Sequence, residues 1–196
     1  MQEYYDRRAP EYDDWYLGTG LFAGRERPGW TDELEQLTEA LASLPAGNTL
    51  DVACGTGFLT RHLRGAVVGL DQSESMLDEA RHQAPNAVCV QGDALSLPFP
   101  DGSFDRVLTA HFYGHLVAAV RPTFLAEARR VARELVVIDS SRAGAEQDEA
   151  KQERTLNDGS RWEVYKRWST PERLAAELGG GETLFAGRWF VAVRSP

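Results

Sequence analysis

The sequence predicts a doubly wound α/β fold, and two observations carry this prediction. Apolar runs alternate with helix-like segments from residue 48 to residue 139, which is typical of a parallel sheet with right-handed crossovers. In addition, the runs 67–70 and 135–138 are continuously apolar, as expected for strands that are buried on both faces. A chain of 196 residues is long enough for one such domain with a large core.

Residues 1–45 are predicted to form an N-terminal helical cap or lid. The first 30 residues are rich in aromatic and charged side chains but show no clean period. Thr31 is the expected N-cap of a helix that runs to Pro45, because the leucines that follow it recur at spacings of three, four and three. These are Leu34, Leu37, Leu41 and Leu44.

Residues 46–140 form the predicted core. Its elements, in order, are strand 48–53, helix 57–64, strand 66–70, helix 73–83, strand 87–90, strand 104–109, helix 117–132 and strand 135–139. Ser73 is a good N-cap for the second of these helices. The strand at 104 follows a run of proline and glycine that is typical of a turn.

Residues 141–196 complete the predicted domain. Residues 140–160 have almost no apolar content and are expected to form a mobile insert over the cleft. Thr170 and Pro171 open a helix that runs through Leu178, and residues 183–193 are predicted to be an antiparallel hairpin. The whole chain, 1–196, is therefore predicted to be one Rossmann-like domain with a sheet of about seven strands. The sheet is expected to be mostly parallel, with a C-terminal antiparallel hairpin and helices on both faces.

The composition of the chain narrows the range of possible partners, locations and metal sites. The formal net charge of −9 repels a phosphate backbone and disfavours a nucleic-acid partner. No apolar run approaches the length of a membrane span, and the N-terminus lacks the pattern of a signal peptide. Two cysteines without a disulfide pattern predict a cytoplasmic protein, and the four histidines show no metal-binding spacing, so no metal is expected. The oligomeric state is left open.

Residues 50–57 are the most informative segment. An apolar run with a carboxylate, Asp51, ends in a Gly-x-Gly loop, where a doubly wound sheet holds a nucleotide-like cofactor. A dinucleotide fingerprint would have a third glycine where this chain has Thr60. The negative charge of Asp51 beneath the loop would also disfavour a pyrophosphate and favour a cationic ligand. An NAD(P)-dependent oxidoreductase is therefore kept only as an alternative.

Three further landmarks follow in order. Asp71 ends the next apolar run, Gly92-Asp93-Ala94 follows the third predicted strand, and Pro98 to Asp105 has the arrangement Pro-Phe-x-Asp-x-x-Phe-Asp. Together with Asp-x-x-x-Gly-x-Gly at residues 51–57, this series resembles the class I S-adenosylmethionine-dependent methyltransferases, in particular the branch of small-molecule enzymes similar to ubiquinone/menaquinone methyltransferases. The resemblance covers about residues 48–140.

The resemblance implies S-adenosylmethionine as cofactor, with S-adenosylhomocysteine as product. Asp51 and the 53–57 loop would face its methionine portion, Asp71 would accept hydrogen bonds from the ribose hydroxyls, and Asp93 would receive the adenine amino group. Of Tyr5, Tyr12 and Tyr16, the first two are the better choices for closing over the sulfonium, because an aromatic face attracts a cation. Packing in the core of a small cap is the alternative role for all three. The predicted cofactor-binding residues are Tyr5, Tyr12, Asp51, Ala53, Cys54, Gly55, Thr56, Gly57, Asp71, Gln72, Met76, Gly92, Asp93, Ala94, Thr109, Ala110 and His111.

His111 and His115 are the predicted catalytic residues. Both follow the predicted fourth strand, at the carboxyl edge where α/β sheets bind ligands, and histidine suits a general base at neutral pH. A plain loop role for His111 and a structural role for His115 are the alternatives. Trp162, Tyr165 and Trp168, at spacings of three, are expected to form one wall of an acceptor pocket or to serve packing alone.

The sequence thus predicts a methyltransferase that acts on a small-molecule acceptor by in-line displacement at O, N or C. A protein that binds S-adenosylmethionine as a regulatory module without turnover is the alternative outside the enzymes. Methylation of RNA or protein is disfavoured by the acidic charge balance.

Overall fold

The structure is a computed structural model that describes all residues, 1–196. Its nine strands are β1 (Gly47–Val52), β2 (Gly65–Asp71), β3 (Ala87–Gln91), β4 (Phe104–Ala110), β5 (Ala132–Ser140), β6 (Glu149–Thr155), β7 (Arg161–Arg167), β8 (Glu182–Ala186) and β9 (Phe190–Ser195). Its six α-helices are α1 (Gln2–Arg8), α2 (Asp14–Leu17), α3 (Trp30–Ser43), α4 (Glu74–Gln83), α5 (Arg121–Val131) and α6 (Pro171–Glu177). None of these helices has both the length and the apolar character needed to cross a membrane.

Seven strands form one sheet in the order β3-β2-β1-β4-β5-β9-β8. The first five strands of the chain pair in parallel, and β9 runs antiparallel to both of its neighbours, β5 and β8. This confirms the predicted fold. The chain leaves β1 toward β2 on one side and later returns to β4 on the other, so the strand order reverses between β1 and β4. Ligands of such sheets bind at the carboxyl edge near this point.

Helices cover both faces of the sheet. On one face, α3 buries Leu37 and Leu41 in an apolar cluster with side chains of the sheet and the aromatic N-terminal segment. On the other face, α5 buries Phe124 and α6 buries Leu174 in a second cluster. Full burial of such a side chain contributes about 1.5–3 kcal/mol, so the two clusters hold the strand ends in fixed relative positions.

Three predicted helices differ in the structure. The helix predicted at 57–64 is absent, and only a 3-10 turn, Thr60–His62, lies there. Gly57 has a φ of +78°, which is incompatible with a helix start, and Leu63 already has extended backbone. The helix predicted at 117–132 begins only at Arg121, with Pro122 in its first turn, where a proline costs no hydrogen bond. Thr31 is not an N-cap, because α3 begins at Trp30 after Gly29.

The prediction of a mobile insert at residues 140–160 is wrong. β6 and β7 form a regular antiparallel hairpin in which Glu149 pairs with Arg167 and Thr155 with Arg161. Alternate residues of β6 are half-buried, including Gln152 and Arg154, so polar side chains cover its inner face. A count of apolar residues cannot detect a strand of this kind, because long polar side chains bury their aliphatic stems.

Candidate functional site

The glycine loop follows β1 and turns sharply at the carboxyl edge of the sheet. Ala53, Gly55 and Gly57 have φ values of +60°, +56° and +78°. A Cβ atom at Gly57 would lie 3.1 Å from Cβ of Ala84 and 3.2 Å from Cα of Ala80 in α4. The second glycine is therefore required both by its backbone conformation and by close packing on α4.

Asp51 lies beneath this loop and is almost completely buried. Its Oδ2 accepts a hydrogen bond of 2.6 Å from the Thr60 hydroxyl, while its Oδ1 is buried without any partner. Burial raises the pKa of Asp51 to about 7, against the opposing effect of the Thr60 hydrogen bond. Thr60 occupies the position where a dinucleotide fingerprint has its third glycine, and its hydroxyl binds the Asp51 carboxylate.

Asp71, at the end of β2, braces the loop from the other side. Its carboxylate accepts hydrogen bonds from the backbone N–H of Gly55 at 3.0 Å and of Ser73 at 2.9 Å. Burial raises its pKa, and the backbone hydrogen bonds oppose this rise. Met76 is buried one turn into α4, while the side chain of Gln72 is exposed.

A third acid, Asp93, follows β3 at the same edge. It is exposed, and its Oδ1 accepts a hydrogen bond of 2.9 Å from the backbone N–H of Leu95. Gly92 donates its N–H to the Asp71 carbonyl at 3.0 Å, and a Cβ atom at Gly92 would lie 2.8 Å from Leu70. Ala94 is buried beside this turn. The structure therefore places Asp51, Asp71 and Asp93 at successive strand ends, as the sequence predicts.

The N-terminal segment lies directly on the loop. Asp13 accepts hydrogen bonds from the Thr56 hydroxyl at 2.6 Å and from the Gln83 side-chain amide at 2.7 Å. Asp6 accepts one of 2.6 Å from the Ser73 hydroxyl. A Cβ atom at Gly55 would lie 3.7 Å from the Tyr12 ring. The sequence carried no signal for Asp6 and Asp13, because their partners lie more than 40 residues away in the chain.

His111 directly follows β4 and lies two residues after Thr109, which donates its hydroxyl to the Val52 carbonyl at 2.8 Å. His111 has a φ of +55° and is 7% exposed, and neither of its ring nitrogens has a hydrogen-bond partner. Its ring lies among aromatic side chains, with ring centroids at 4.8 Å from Trp15 and 5.7 Å from Phe190. Burial, assisted by the charge of Lys166, lowers its pKa to about 3, so the imidazole is neutral at physiological pH.

His115 is tied to the hairpin. Its Nδ1 lies 2.6 Å from the carbonyl oxygen of Tyr165. Because a carbonyl only accepts, Nδ1 must carry the proton and Nε2 the lone pair. Burial and the charge of Lys166 hold the pKa of His115 well below its ordinary value.

An ion pair that the sequence analysis missed lies beside both histidines. Lys166 of β7 donates to Asp139 of β5 at 2.6 Å, and both side chains are buried. Although burial raises the pKa of Asp139, the charge of Lys166 lowers it to about 2. Asp139 also accepts the backbone N–H of Gly114 at 2.5 Å. The acid that follows the apolar run 135–138 was visible in the sequence, but its lysine partner was not.

A cavity of about 700 Å³ opens between the N-terminal segment, the β6–β7 hairpin and the ends of β4 and β5. Tyr5, Tyr12, His111 and His115 line it together. A much smaller space of about 10 Å³ adjoins the glycine loop, and Asp51, Ala53, Cys54, Thr56 and Ala110 line it with Tyr12. Tyr12 and the residues at the end of β4 thus separate the loop from the large cavity.

Of the predicted aromatic wall, only Trp168 lines the cavity. The Trp162 ring lies 5.8 Å from the Tyr4 ring, and the Tyr165 hydroxyl donates to Glu149 at 2.7 Å. Trp162 and Tyr165 belong to β7, where side chains alternate between the faces, so a spacing of three places them on opposite sides.

Residues 50–138 match a protein family described as "Methyltransferase domain". An uncharacterized methyltransferase of Synechocystis sp. is 36% identical over 107 residues, which are 53% of this chain and 50% of that protein. The ubiquinone/menaquinone biosynthesis C-methyltransferase UbiE of Paracoccus denitrificans is 44% identical over 104 residues, 47% of this chain and 41% of that protein. The chain thus spans about half the length of these relatives.

Among solved structures, a DhpI complex with SAM and HEP has a TM-score of 0.74 at 27% identity, and the match covers 99% of this chain and 95% of that chain. A DhpI complex with SAH has a TM-score of 0.71 at 26% identity, with coverage of 98% and 93%. Residues 50–138 thus carry the features of a methyltransferase domain, and the likeness to an S-adenosylmethionine-binding methyltransferase fold extends over nearly the whole chain.

Proposed function

We propose that this chain transfers the methyl group of S-adenosylmethionine to a small molecule that binds in the 700 Å³ cavity. The observation that carries the proposal is the position of His111. Its two buried, unpaired ring nitrogens lie at the strand end that separates the glycine loop from the cavity. A reacting group held there would be shielded from water, and a neutral imidazole would be available beside it.

The residues present fit S-adenosylmethionine. The unpaired Oδ1 of Asp51 offers an acceptor and a negative charge beneath the loop, which suits the cationic methionine portion. Each Asp71 oxygen accepts one backbone hydrogen bond and retains a second lone pair for a ribose hydroxyl. The exposed carboxylate of Asp93 lies at the next strand end, where the adenine would lie. We assign the other predicted residues of the loop and strand ends to the same site.

When bound, S-adenosylmethionine supplies an electrophilic methyl group, and the electrons of the broken C–S bond remain on sulfur. The protein then has to hold the acceptor in line and to take up a proton where the acceptor is a hydroxyl or amine. We assign to His111 the hydrogen bond that the hydroxyl or amine of the acceptor donates; with a pKa of about 3, its neutral imidazole takes up the proton only once the acceptor becomes strongly acidic on methylation. His115 uses its Nδ1–H to hold the Tyr165 carbonyl of β7, so it positions the hairpin wall and presents Nε2 as the second candidate base.

The N-terminal segment acts as the lid in this proposal. Tyr12 lies against Gly55 and lines both the loop space and the cavity, and Tyr5 lines the cavity beside it. Asp6 and Asp13 tie the segment to Ser73 and Thr56 through hydrogen bonds that the solvent can replace when the lid opens. We propose residues 1–45 as the cap of a single domain, 46–140 as its cofactor-binding core, and 141–196 as the part that completes the cavity.

A small acceptor is further supported by the relatives. The Paracoccus protein is named for ubiquinone/menaquinone biosynthesis, and DhpI was solved with SAM together with a second molecule, HEP. The net charge of −9 argues against nucleic acid as the acceptor. Both cysteines, Cys54 and Cys89, are free thiols, which supports the cytoplasm as the location.

The test is a turnover assay with S-adenosylmethionine carrying a radioactive methyl group, over a panel of small acceptors and over fractionated cell extract. We expect label in small molecules, and a much lower rate for His111→Ala even when S-adenosylmethionine is saturating. Label in RNA or protein alone would contradict the small acceptor. Tight binding of the cofactor without turnover on any fraction would instead indicate a regulatory module.

A further inference from the structure

The charge around the large cavity is opposite in sign to that of the whole chain. The protein has a net charge of −9, yet the cavity is lined by five basic and three acidic side chains. The basic ones are Arg8, Arg25, Arg27, Arg154 and Lys166. The acidic ones are Glu11, Glu26 and Glu153. An acidic protein that gathers basic side chains at one cavity focuses a positive potential there.

Two of these basic side chains, Arg8 and Arg154, converge on one oxygen atom. Arg8 of α1 donates through Nη1 to the Tyr4 hydroxyl, and Arg154 of β6 reaches the same hydroxyl at 3.4 Å. Arg154 also donates to the Gln152 side-chain carbonyl at 3.3 Å. Neither guanidinium has a carboxylate within 4.0 Å, whereas Lys166 is paired with Asp139. Two guanidinium groups therefore meet at one phenol oxygen, and neither has a carboxylate partner.

Arg8 is unusual for an unpaired cation because it is only 6% exposed. Its guanidinium carbon lies 5.1 Å from the centroid of the Tyr12 ring and 5.6 Å from that of the Tyr4 ring. These rings hold the guanidinium in place but do not neutralise it. A buried charge that lacks an ionic partner, next to a second charge of the same sign, is stabilised when an anion binds between them.

We propose that Arg8 and Arg154 recognise an anionic group of the methyl acceptor, a carboxylate or a phosphoryl group. This inference rests on the proposed function. A planar guanidinium presents parallel N–H groups that match two oxygens of either anion, so two of them from different elements would fix one end of the molecule. Tyr5, Trp15 and Trp168 line the same cavity and would contact an apolar body, and His111 would lie near the nucleophile at the other end.

The test measures binding of three small probes to the full chain with S-adenosylhomocysteine present: benzoate, phenyl phosphate, and benzamide as the neutral counterpart of benzoate. Titration calorimetry gives each dissociation constant. We expect benzoate or phenyl phosphate to bind at least about ten-fold more tightly than benzamide, since only the anions gain charge-assisted hydrogen bonds. The tighter of the two anions identifies the group.

The variants are Arg154→Gln, Arg8→Lys and, as a matched control, Arg133→Gln, an exposed arginine at the amino end of β5. Arg154→Gln should weaken anion binding about ten-fold or more, and Arg8→Lys, which keeps the charge but loses the planar fork, should weaken it less. Arg133→Gln should match the wild type. Thermal unfolding and the dissociation constant for S-adenosylhomocysteine show whether each variant is folded.

The inference would be overturned if neither benzoate nor phenyl phosphate bound more tightly than benzamide, or if the Arg154→Gln variant kept wild-type affinity for both anions. These results do not depend on catalysis. If S-adenosylhomocysteine itself failed to bind, the proposed function would fall, and the anion titrations repeated without it would still decide whether the arginine pair binds an anion.

Discussion

Replacement of Asp51 by asparagine tests two effects of this carboxylate. One is its contribution to the affinity of the proposed cofactor site, and the other is its cost in the free energy of unfolding. Asp51 is 2% exposed, its Oδ1 has no partner, and its pKa is raised from 3.8 to about 7 by burial. A carboxyl whose pKa is raised on folding contributes stability that is complete below pH 3.8 and is lost as the pH rises through 7. Asparagine has nearly the same shape and does not titrate.

The size of the effect follows from the shift in pKa. A difference of about 3 units corresponds to about 4 kcal/mol, at about 1.4 kcal/mol per unit. In the absence of cofactor, Asp51→Asn should therefore exceed the wild type in free energy of unfolding above pH 7. This difference in free energy of unfolding between the variant and the wild type should grow from pH 3.8 to pH 7 and then level off. About 3 kcal/mol of the difference should develop between pH 4.5 and pH 8.

The measurement is urea unfolding of the wild type, Asp51→Asn and an exposed control, Glu146→Gln, at a series of pH values, together with titration of S-adenosylmethionine. Groups far from residue 51 titrate equally in the three proteins, so the difference reports on Asp51 together with its coupling to Asp71. We expect the dissociation constant for S-adenosylmethionine to rise about ten-fold or more in Asp51→Asn, because the variant has no carboxylate that can ionise to pair with the cationic cofactor. A stability difference that does not change between pH 4.5 and pH 8, or an unaltered affinity, would refute the reasoning.

Three further predictions concern the rest of the site. His111→Gln should lower kcat about 10²- to 10⁴-fold. The wild-type kcat should show no histidine titration between pH 5 and pH 8, because the pKa of His111 is lowered to about 3. The pH–rate profiles of both proteins check these two expectations. Gly57→Ala should destabilise the protein by about 1–3 kcal/mol more than Gly159→Ala, because both have positive φ but only Gly57 faces α4; thermal unfolding of the pair compares them. Asp139→Asn should lower the free energy of unfolding by about 3–5 kcal/mol, because it leaves the Lys166 charge buried without its partner, and equal urea midpoints would contradict the buried pair.

Local patterns in the sequence were enough to predict the parallel sheet, the glycine loop and the position of Asp51, Asp71 and Asp93 at the strand ends. Each of these depends on residues that are close in the chain: an apolar run sets a strand, its last acid lies at the carboxyl edge, and two glycines allow the turn. Parallel strands then bring these edges together, so the placement of the main parts of the proposed cofactor site at one edge of the sheet could be predicted.

The residues that line the proposed acceptor cavity could be identified only from the tertiary structure. The hairpin of β6 and β7, read from the sequence as a mobile insert, brings Arg154 to Arg8 and Lys166 to Asp139. These partners come from separate elements and follow no period, so no local pattern encodes them. Their positions depend on how the N-terminal segment and the hairpin pack over the strand ends, and on the burial that leaves His111 neutral and unpaired.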